Sequence, residues 1–521
     1  MTDDMTDTGA APDVAEPVAK PLAGAALMLA ALMIGLGNFL VVLDTTIANV
    51  SIPHIAGSLG VSVTEATWVI TSYAVADAIT VPLAGFLARR FGEQRVFTLA
   101  FMAFGFFSLL CGLSRSLDML IGGRVLLGLA GGMIIPLSMT LLLRVFPPEK
   151  ATLATIIWAM TTTVAPIAGP ILGGIISDNA GWQWIFFLNV PVAALGAAGL
   201  LYLLHGRREA TARAPIDMVG LVLLVIWVAS LQILLDEGRN VDWFAATEIR
   251  VLAVIAAIGF GAFLIWELTE EHPIVNLRVF RHRGFIVASV TYAMSFAAYF
   301  ATVVLIPLWL QQNMGYTATW AGYATGIMGI FAVLTSPAIG AAAAKMDVRL
   351  LISIGIAGMA LISLWRTTFT PDMTFLQMAW PMLLTGPFLM MFFIPVTGLC
   401  IASVDPHEHA DAAGISNFLR TLTAAFATSL VQTGWTNAAR FNQAELVGAM
   451  QQGPSTIDAL VTSGQSLETA TTLLTNTVES QSVMLATLNM FTVVALCLAF
   501  TGVLIWLAPK PQGPIDTSGG H

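Results

Sequence analysis

The chain has 521 residues, 57% of them hydrophobic and 10% charged, with a formal net charge of −9 and a mean hydropathy of +0.82. Soluble domains carry about 25% charged residues, so this composition excludes an ordinary globular enzyme and places the chain in the bilayer class. No Lys/Arg run offers a nucleic-acid surface, and the length measures the number of membrane spans.

The first residues, Met1 to Lys20, lack the charged-then-apolar pattern of a cleaved signal, so the first span is expected to insert and stay. Fourteen segments of roughly 20 residues then carry enough apolar character to cross. Six lie near 25–50, 65–88, 95–114, 117–143, 150–176 and 183–204. Two more fall at 215–235 and 247–268, and six at 285–311, 317–344, 349–369, 374–403, 409–433 and 484–508. The fold class expected is an all-α integral membrane protein. Its units are an N-terminal tail (1–24), a six-helix bundle (25–204), two inserted helices with flanking loops (205–284), a second six-helix bundle (285–508) and a C-terminal tail (509–521).

The basic residues orient this set. With the N-terminus in the cytoplasm, 15 of the 22 Lys/Arg fall at cytoplasmic ends, from Lys20 through Arg89, Arg90 and Arg95 to Lys510. Five (Arg115, Arg239, Arg250, Arg366 and Arg440) fall on the opposite side, and Arg124 and Arg420 lie within spans. That bias puts both termini in the cytoplasm.

Residues 66–95 are echoed at 318–349: Ala66-Thr67-Trp68 returns as Ala318-Thr319-Trp320, and Pro82-x-x-Gly85 as Pro337-x-x-Gly340. Paired halves of this kind place a binding site at the membrane midplane. The stretch 434–481, rich in Gln, Ser and Thr, reads as an extracytoplasmic loop too polar to span, either passive or a docking surface for a partner.

Three ionisable residues carry the candidate chemistry. Asp44 lies on the order of 25 Å along the first span, with Thr45, Thr46 and Asn49 as neighbours. A carboxylate at that depth marks an ion or proton site. Asp77 sits in the middle of the second span, and Arg124 near the start of the fourth needs an anionic partner, either Asp44 or Asp77. Burial favours a neutral carboxyl group and a guanidinium favours the charged one, so a rearrangement that parts them would promote protonation. Span five holds Ala165-Pro166-Ile167-Ala168-Gly169-Pro170-Ile171-Leu172-Gly173-Gly174, a segment for close packing and bending.

No phosphate loop, zinc motif or nucleophile elbow occurs, and the histidines do not group with metal spacing, so neither metal nor cofactor is expected. His407-Glu408-His409 reads as a solvated turn, and Cys111, Cys400 and Cys497 as small hydrophobes. Energy is therefore expected from an ion gradient. A dedicated exporter of one metabolite, and a membrane-embedded sensor or enzyme, are the other classes considered.

These residues resemble a known family. Leu43-Asp44-x-Thr46-Ile47-x-Asn49-Val50-x-Ile52-Pro53 is similar to the first-helix signature of the fourteen-span drug:proton antiporters of the major facilitator superfamily. Trp68-Val69-Ile70-Thr71-Ser72-Tyr73, Arg124-x-x-x-Gly128 and Gly169-Pro170-x-x-Gly173-Gly174 resemble its second-, fourth- and fifth-helix motifs, the last marking exporters. Trp184 to Pro191, Trp320-Ala321-Gly322 and Ser416-Asn417-Phe418-Leu419-Arg420 extend the likeness. Leu235-Asp236-x-Gly238 with Asp242-Trp243 resembles the EmrB branch.

The resemblance implies a major facilitator (rocker-switch) fold and proton-driven export of small-molecule drugs from the inner membrane and its lipids. It also implies work with a periplasmic membrane-fusion adaptor (EmrA-like) and an outer-membrane channel (TolC-like). It carries proton coupling onto Asp44 and Arg124 and gating onto Gly169, Pro170, Gly173 and Gly174, while the residues themselves add Asp77 to the proton-coupling set and Ala165 to the gating segment. The drug cavity is expected at Thr46, Asn49, Trp158, Tyr299, Phe300 and Asn417. Two departures stand out: Arg89 replaces an aspartate in the loop motif after the second span, and Leu127 replaces a glutamine beside Gly128.

Overall fold

The computed structural model describes residue 22 and residues 24–205, 217–238, 241, 243–405, 408–449, 453–463 and 466–509. The calls on most of both tails, on 206–216, and on Asp242 and His407 lie outside the described residues. Within the bilayer a chain must satisfy its backbone groups internally, and every regular element among the described residues is helical.

The first helices are α1 (Gly24–Leu59), α2 (Val63–Ala66), α3 (Trp68–Thr80), α4 (Ala84–Phe91), α5 (Glu93–Gly112) and α6 (Leu117–Val145). Then come α7 (Ala151–Asn179), α8 (Trp184–Phe187), α9 (Asn189–Leu203), α10 (Met218–Glu237), α11 (Thr247–Thr269) and α12 (Arg283–Gln312). The rest are α13 (Ala318–Ala343), α14 (Val348–Arg366), α15 (Phe375–Ala402), α16 (His409–Ala449), α17 (Gly453–Thr462) and α18 (Leu467–Leu504). Among the described residues eleven helices are long and apolar enough to cross a membrane, and thirteen when each of two bent pairs is taken as one span. The fourteenth expected span falls on α16, which has the length, 41 residues, but is too polar to count by composition. Its buried Ser416, Asn417 and Arg420 give the reason: this helix turns polar groups inward.

In the first half, α1 lies along α7 and α6, α3 along α6, and α5 along α6 and α9. In the second, α13 pairs with α15, α14 with α15 and α18, and α16 with α12 and α18. The halves meet through α7 on α13, α7 on α15, α6 on α16 and α4 on α16. The inserted α10–α11 hairpin touches both halves, since α10 packs on α3 and on α16. A Ser429 hydroxyl donates to the Leu235 carbonyl at 2.6 Å and fixes the second contact.

Two bends have chemical causes. The pair α3/α4 turns by 54° across Val81-Pro82-Leu83, and α7 turns by 46° between Pro166 and Ile171. Proline removes a backbone donor and crowds the preceding turn, so it is the natural bend point. The echo of the first copy in α13 is incomplete, because Pro337 sits inside one continuous helix.

The stretch 434–481 corrects the loop reading. α16 continues to Ala449, α17 follows, and α18 begins at Leu467, so most of the segment is helical. Its Ala, Gln and Glu residues favour helix despite their polarity. The two long helices hold each other: the Trp435 indole donates to Thr487 at 2.9 Å and Asn442 to the Ser482 carbonyl at 3.3 Å. At 1.5 Å per residue α16 is about 60 Å long, twice a hydrocarbon core of about 30 Å.

Candidate functional site

Asp44 and Arg124 come together at the heart of the first half, both with 0% exposure. The Arg124 guanidinium donates through Nη1 to Asp44 Oδ2, and through Nε to the Val69 carbonyl at 2.9 Å. Its carbon lies 4.2 Å from the centre of the Tyr73 ring and 5.7 Å from that of Phe186. The second Asp44 oxygen accepts from Asn189 at 3.2 Å, and Asn189 also donates to Ser108 at 3.1 Å. Helices α1, α6 and α9 thus each supply one member of a charged, hydrogen-bonded cluster.

Of the two partners open to Arg124 in the sequence, the structure selects Asp44. Asp77 stands apart from that pair. It is 5% exposed, its Oδ1 has no hydrogen-bond partner, and it lines a cavity of about 250 Å³ between the halves. Arg124 faces the same cavity, so the guanidinium stands between the enclosed Asp44 and the open space. From the second half Arg420 lines the cavity too, held by Asn417 at 3.4 Å and lying 5.3 Å from the Phe296 ring centre.

Four of the six residues expected in the drug cavity face it: Thr46, Asn49, Tyr299 and Phe300. Trp158 and Asn417 do not. They border a smaller void together with Tyr292, and the Trp158 ring stacks on Phe393 with 5.7 Å between centres and 19° between planes. Phe393 lines the cavity, so Trp158 backs its wall.

Sequence reasoning missed Asn189, whose amide gave no signal beyond its place in a quoted motif. It also missed Gln232 and Asp236 of α10, which carry the inserted pair into the cavity wall. Their polarity inside an apolar span was the available signal.

The fifth-helix motif lies on α7 against α1. A side chain at Gly169 would collide with Thr46, and one at Gly173 would meet the Ile47 carbonyl at 2.7 Å. Ala165 and Gly174 are buried on the same helix, and Pro166 reaches the cavity. The Pro170 side chain lies outside the described residues.

A second charged cluster joins the halves at the end of the molecule where α1 starts and α18 stops. Arg89 pairs with Asp411 of α16, and Asn276 donates to the other Asp411 oxygen at 2.9 Å. Arg281 reaches Asp405 at 2.8 Å and Glu408 at 3.2 Å, and His282 lies 3.0 Å from Glu408. Glu408 is 3% exposed, which corrects its reading as part of a solvated turn. His282, Asp405 and Glu408 bring ligand atoms within 4.8 Å of one another, a grouping unseen in the sequence. Arg281 bridges both carboxylates, so the cluster reads as an ion-pair network.

A bundle of apolar helices in two packed halves, with a largely apolar cavity between them that also carries a few charged side chains, defines a multi-pass membrane transporter. The chain belongs to the Major Facilitator Superfamily, whose family model matches residues 34–428. The multidrug export protein EmrB of Escherichia coli (strain K12) is 42% identical over 507 residues, covering 96% of this chain and 99% of that one. The fatty acid resistance protein FarB of Neisseria gonorrhoeae is 40% identical over 505 residues, with coverage of 96% and 99%. Among solved structures, an inward-facing, unoccupied bacterial homologue of the human lysosomal transporter Spinster superposes with a TM-score of 0.53 at 13% identity. That match covers 94% of this chain and 98% of the other, and it speaks for the fold alone.

Proposed function

We propose that this chain is a proton-driven multidrug exporter that moves apolar or amphipathic toxic compounds out of the cytoplasm or the inner membrane. The observation that carries the reading is the buried Asp44–Arg124–Asn189 cluster set directly behind the wall of the central cavity. Parting Asp44 from Arg124 as the halves rock would let the carboxylate take up a proton, and re-forming the pair would expel it. Asp77 faces the cavity directly and is the second proton carrier. The proton gradient supplies the energy, with no cofactor. The names of the relatives, multidrug export and fatty acid resistance, support export of amphipathic compounds.

A dedicated exporter of fatty acids is the second reading, favoured by the 40% identity to the fatty acid resistance protein. The basic end of the bundle is assigned to the cytoplasm together with both termini, and the projecting ends of α16 and α18 to the periplasm. There they would meet a membrane-fusion adaptor that leads to an outer-membrane channel. The projection carries exposed apolar side chains, Phe441 at 65%, Leu467 at 63% and Leu473 at 46%, which such a contact would cover.

The test is uptake of fluorescent drugs and of a labelled fatty acid into everted vesicles under an imposed pH gradient. Substrate-dependent proton movement is expected with both the wild-type protein and Asp44→Glu. Wild-type rates in Asp44→Asn would remove Asp44 from the coupling role.

A further inference from the structure

Arg366, the last residue of α14, counts among the outward-facing basic residues in the sequence, yet it is 2% exposed. Its guanidinium turns into the second half toward α15. There Nη2 donates to the Thr385 hydroxyl at 2.8 Å, with the Met382 sulfur at 3.1 Å and the Pro381 carbonyl at 3.5 Å. The Phe491 ring lies 6.0 Å away. Every one of these partners is neutral. The Nε atom is buried without an acceptor, and among the described residues no carboxylate pairs with the group. The other two buried arginines differ: Arg124 has Asp44, and Arg420 shares its cavity with Asp77 and Asp236.

A guanidinium keeps its charge at any physiological pH, and an uncompensated charge inside a bilayer-embedded bundle costs several kcal/mol. Arg366 fronts a cavity of about 50 Å³, distinct from the central one. The hydroxyl-bearing residues Tyr299, Ser363 and Thr385 line it as well. Thr385 spends its own proton on the Pro381 carbonyl at 2.7 Å, so its oxygen accepts from Arg366 and steadies the guanidinium. Tyr299, Val303 and Pro166 border both cavities, so the smaller chamber adjoins the larger one across a wall of three side chains. Since about 10–15 Å³ admits one water, the chamber takes a group of chloride size with water to spare.

We propose that this chamber binds a singly charged anionic group. Arg366 supplies the charge, and Tyr299 and Ser363 supply hydroxyl donors. The anion is either free chloride or the anionic end of a cargo molecule reaching in from the central cavity. The site lies outside the proton-coupling cluster, and binding here stands whether or not the chain exports drugs.

The experiment needs no gradient. Thermal unfolding of the purified full chain is followed by tryptophan fluorescence while sodium gluconate is replaced by sodium chloride at constant ionic strength. A ligand that binds only the folded state raises the midpoint with saturation. A chloride site gives a saturable rise of a few degrees in the wild type and none in Arg366→Gln. A cargo-anion site gives no chloride effect. It gives instead an Arg366-dependent rise with dodecanoate, and none with the uncharged dodecanol. Thr385→Val, which keeps the charge but loses the hydroxyl that steadies it, is expected to raise the half-saturating concentration about tenfold. It serves as the variant if Arg366→Gln does not fold. No rise with either anion in the wild type, or an equal rise in Arg366→Gln, would overturn the proposal.

Discussion

Removing the charge of Asp44 leaves a buried guanidinium at the cavity wall with the Val69 carbonyl and two aromatic rings as its remaining partners. Breaking a buried pair by deleting one partner costs about 3–5 kcal/mol. Asp44→Asn is therefore expected to lower the unfolding midpoint and to abolish gradient-driven export, as measured by thermal unfolding and vesicle uptake. Asn189→Ala deletes one hydrogen bond to a charged group, about 1.5–3 kcal/mol, and should weaken both properties less. Asp77→Asn touches no formed pair, so export should fall with little loss of stability. The acids and Arg124 were legible in the sequence because charge stands out in an apolar segment. Asn189 was not, since an amide near the start of a span has many ordinary explanations. Trp158 and Asn417 went astray because position along a helix was clear while facing direction, which tertiary packing decides, was not.

At the scale of helices, α7 and α1 are held at a separation that only glycine permits. Gly173→Leu should abolish transport while leaving membrane insertion intact, which uptake assays and a protein-level blot would separate. The same packing was readable as small residues at fixed spacing. The helical extension of α16 and α18 was not, because composition read its polarity as loop while helix propensity and mutual packing carried the helices on. Replacing the exposed Phe441 and Leu473 by Ser should leave vesicle uptake unchanged. In intact cells it should lower resistance, and under the tripartite reading proposed above it should reduce capture of a membrane-fusion adaptor by the purified protein. The inserted α10 was expected only to interrupt the repeat. With Gln232 and Asp236 in the cavity wall, its polar positions belong to the lining of the central cavity.

Across the whole molecule, the halves are joined at the basic end by Arg89 and Asp411, 322 residues apart in the chain, a distance no local motif can bridge. The departure of Arg89 from the family's aspartate thus has a partner on the opposite half. Arg89→Glu and Asp411→Lys should each reduce export, and the double variant should recover it. The expected coupling is on the order of 1 kcal/mol, roughly fivefold in rate, read from a double-mutant cycle on vesicle uptake. Asp411 opens α16, Arg420 faces the cavity from it, and the same continuous helix runs on to Ala449. From Arg420 to that tip is about 44 Å, so a tilt of about 10° at the cavity would sweep the tip through about 8 Å. A tilt of this one rod at the cavity would therefore be magnified at its far end, like the long arm of a lever.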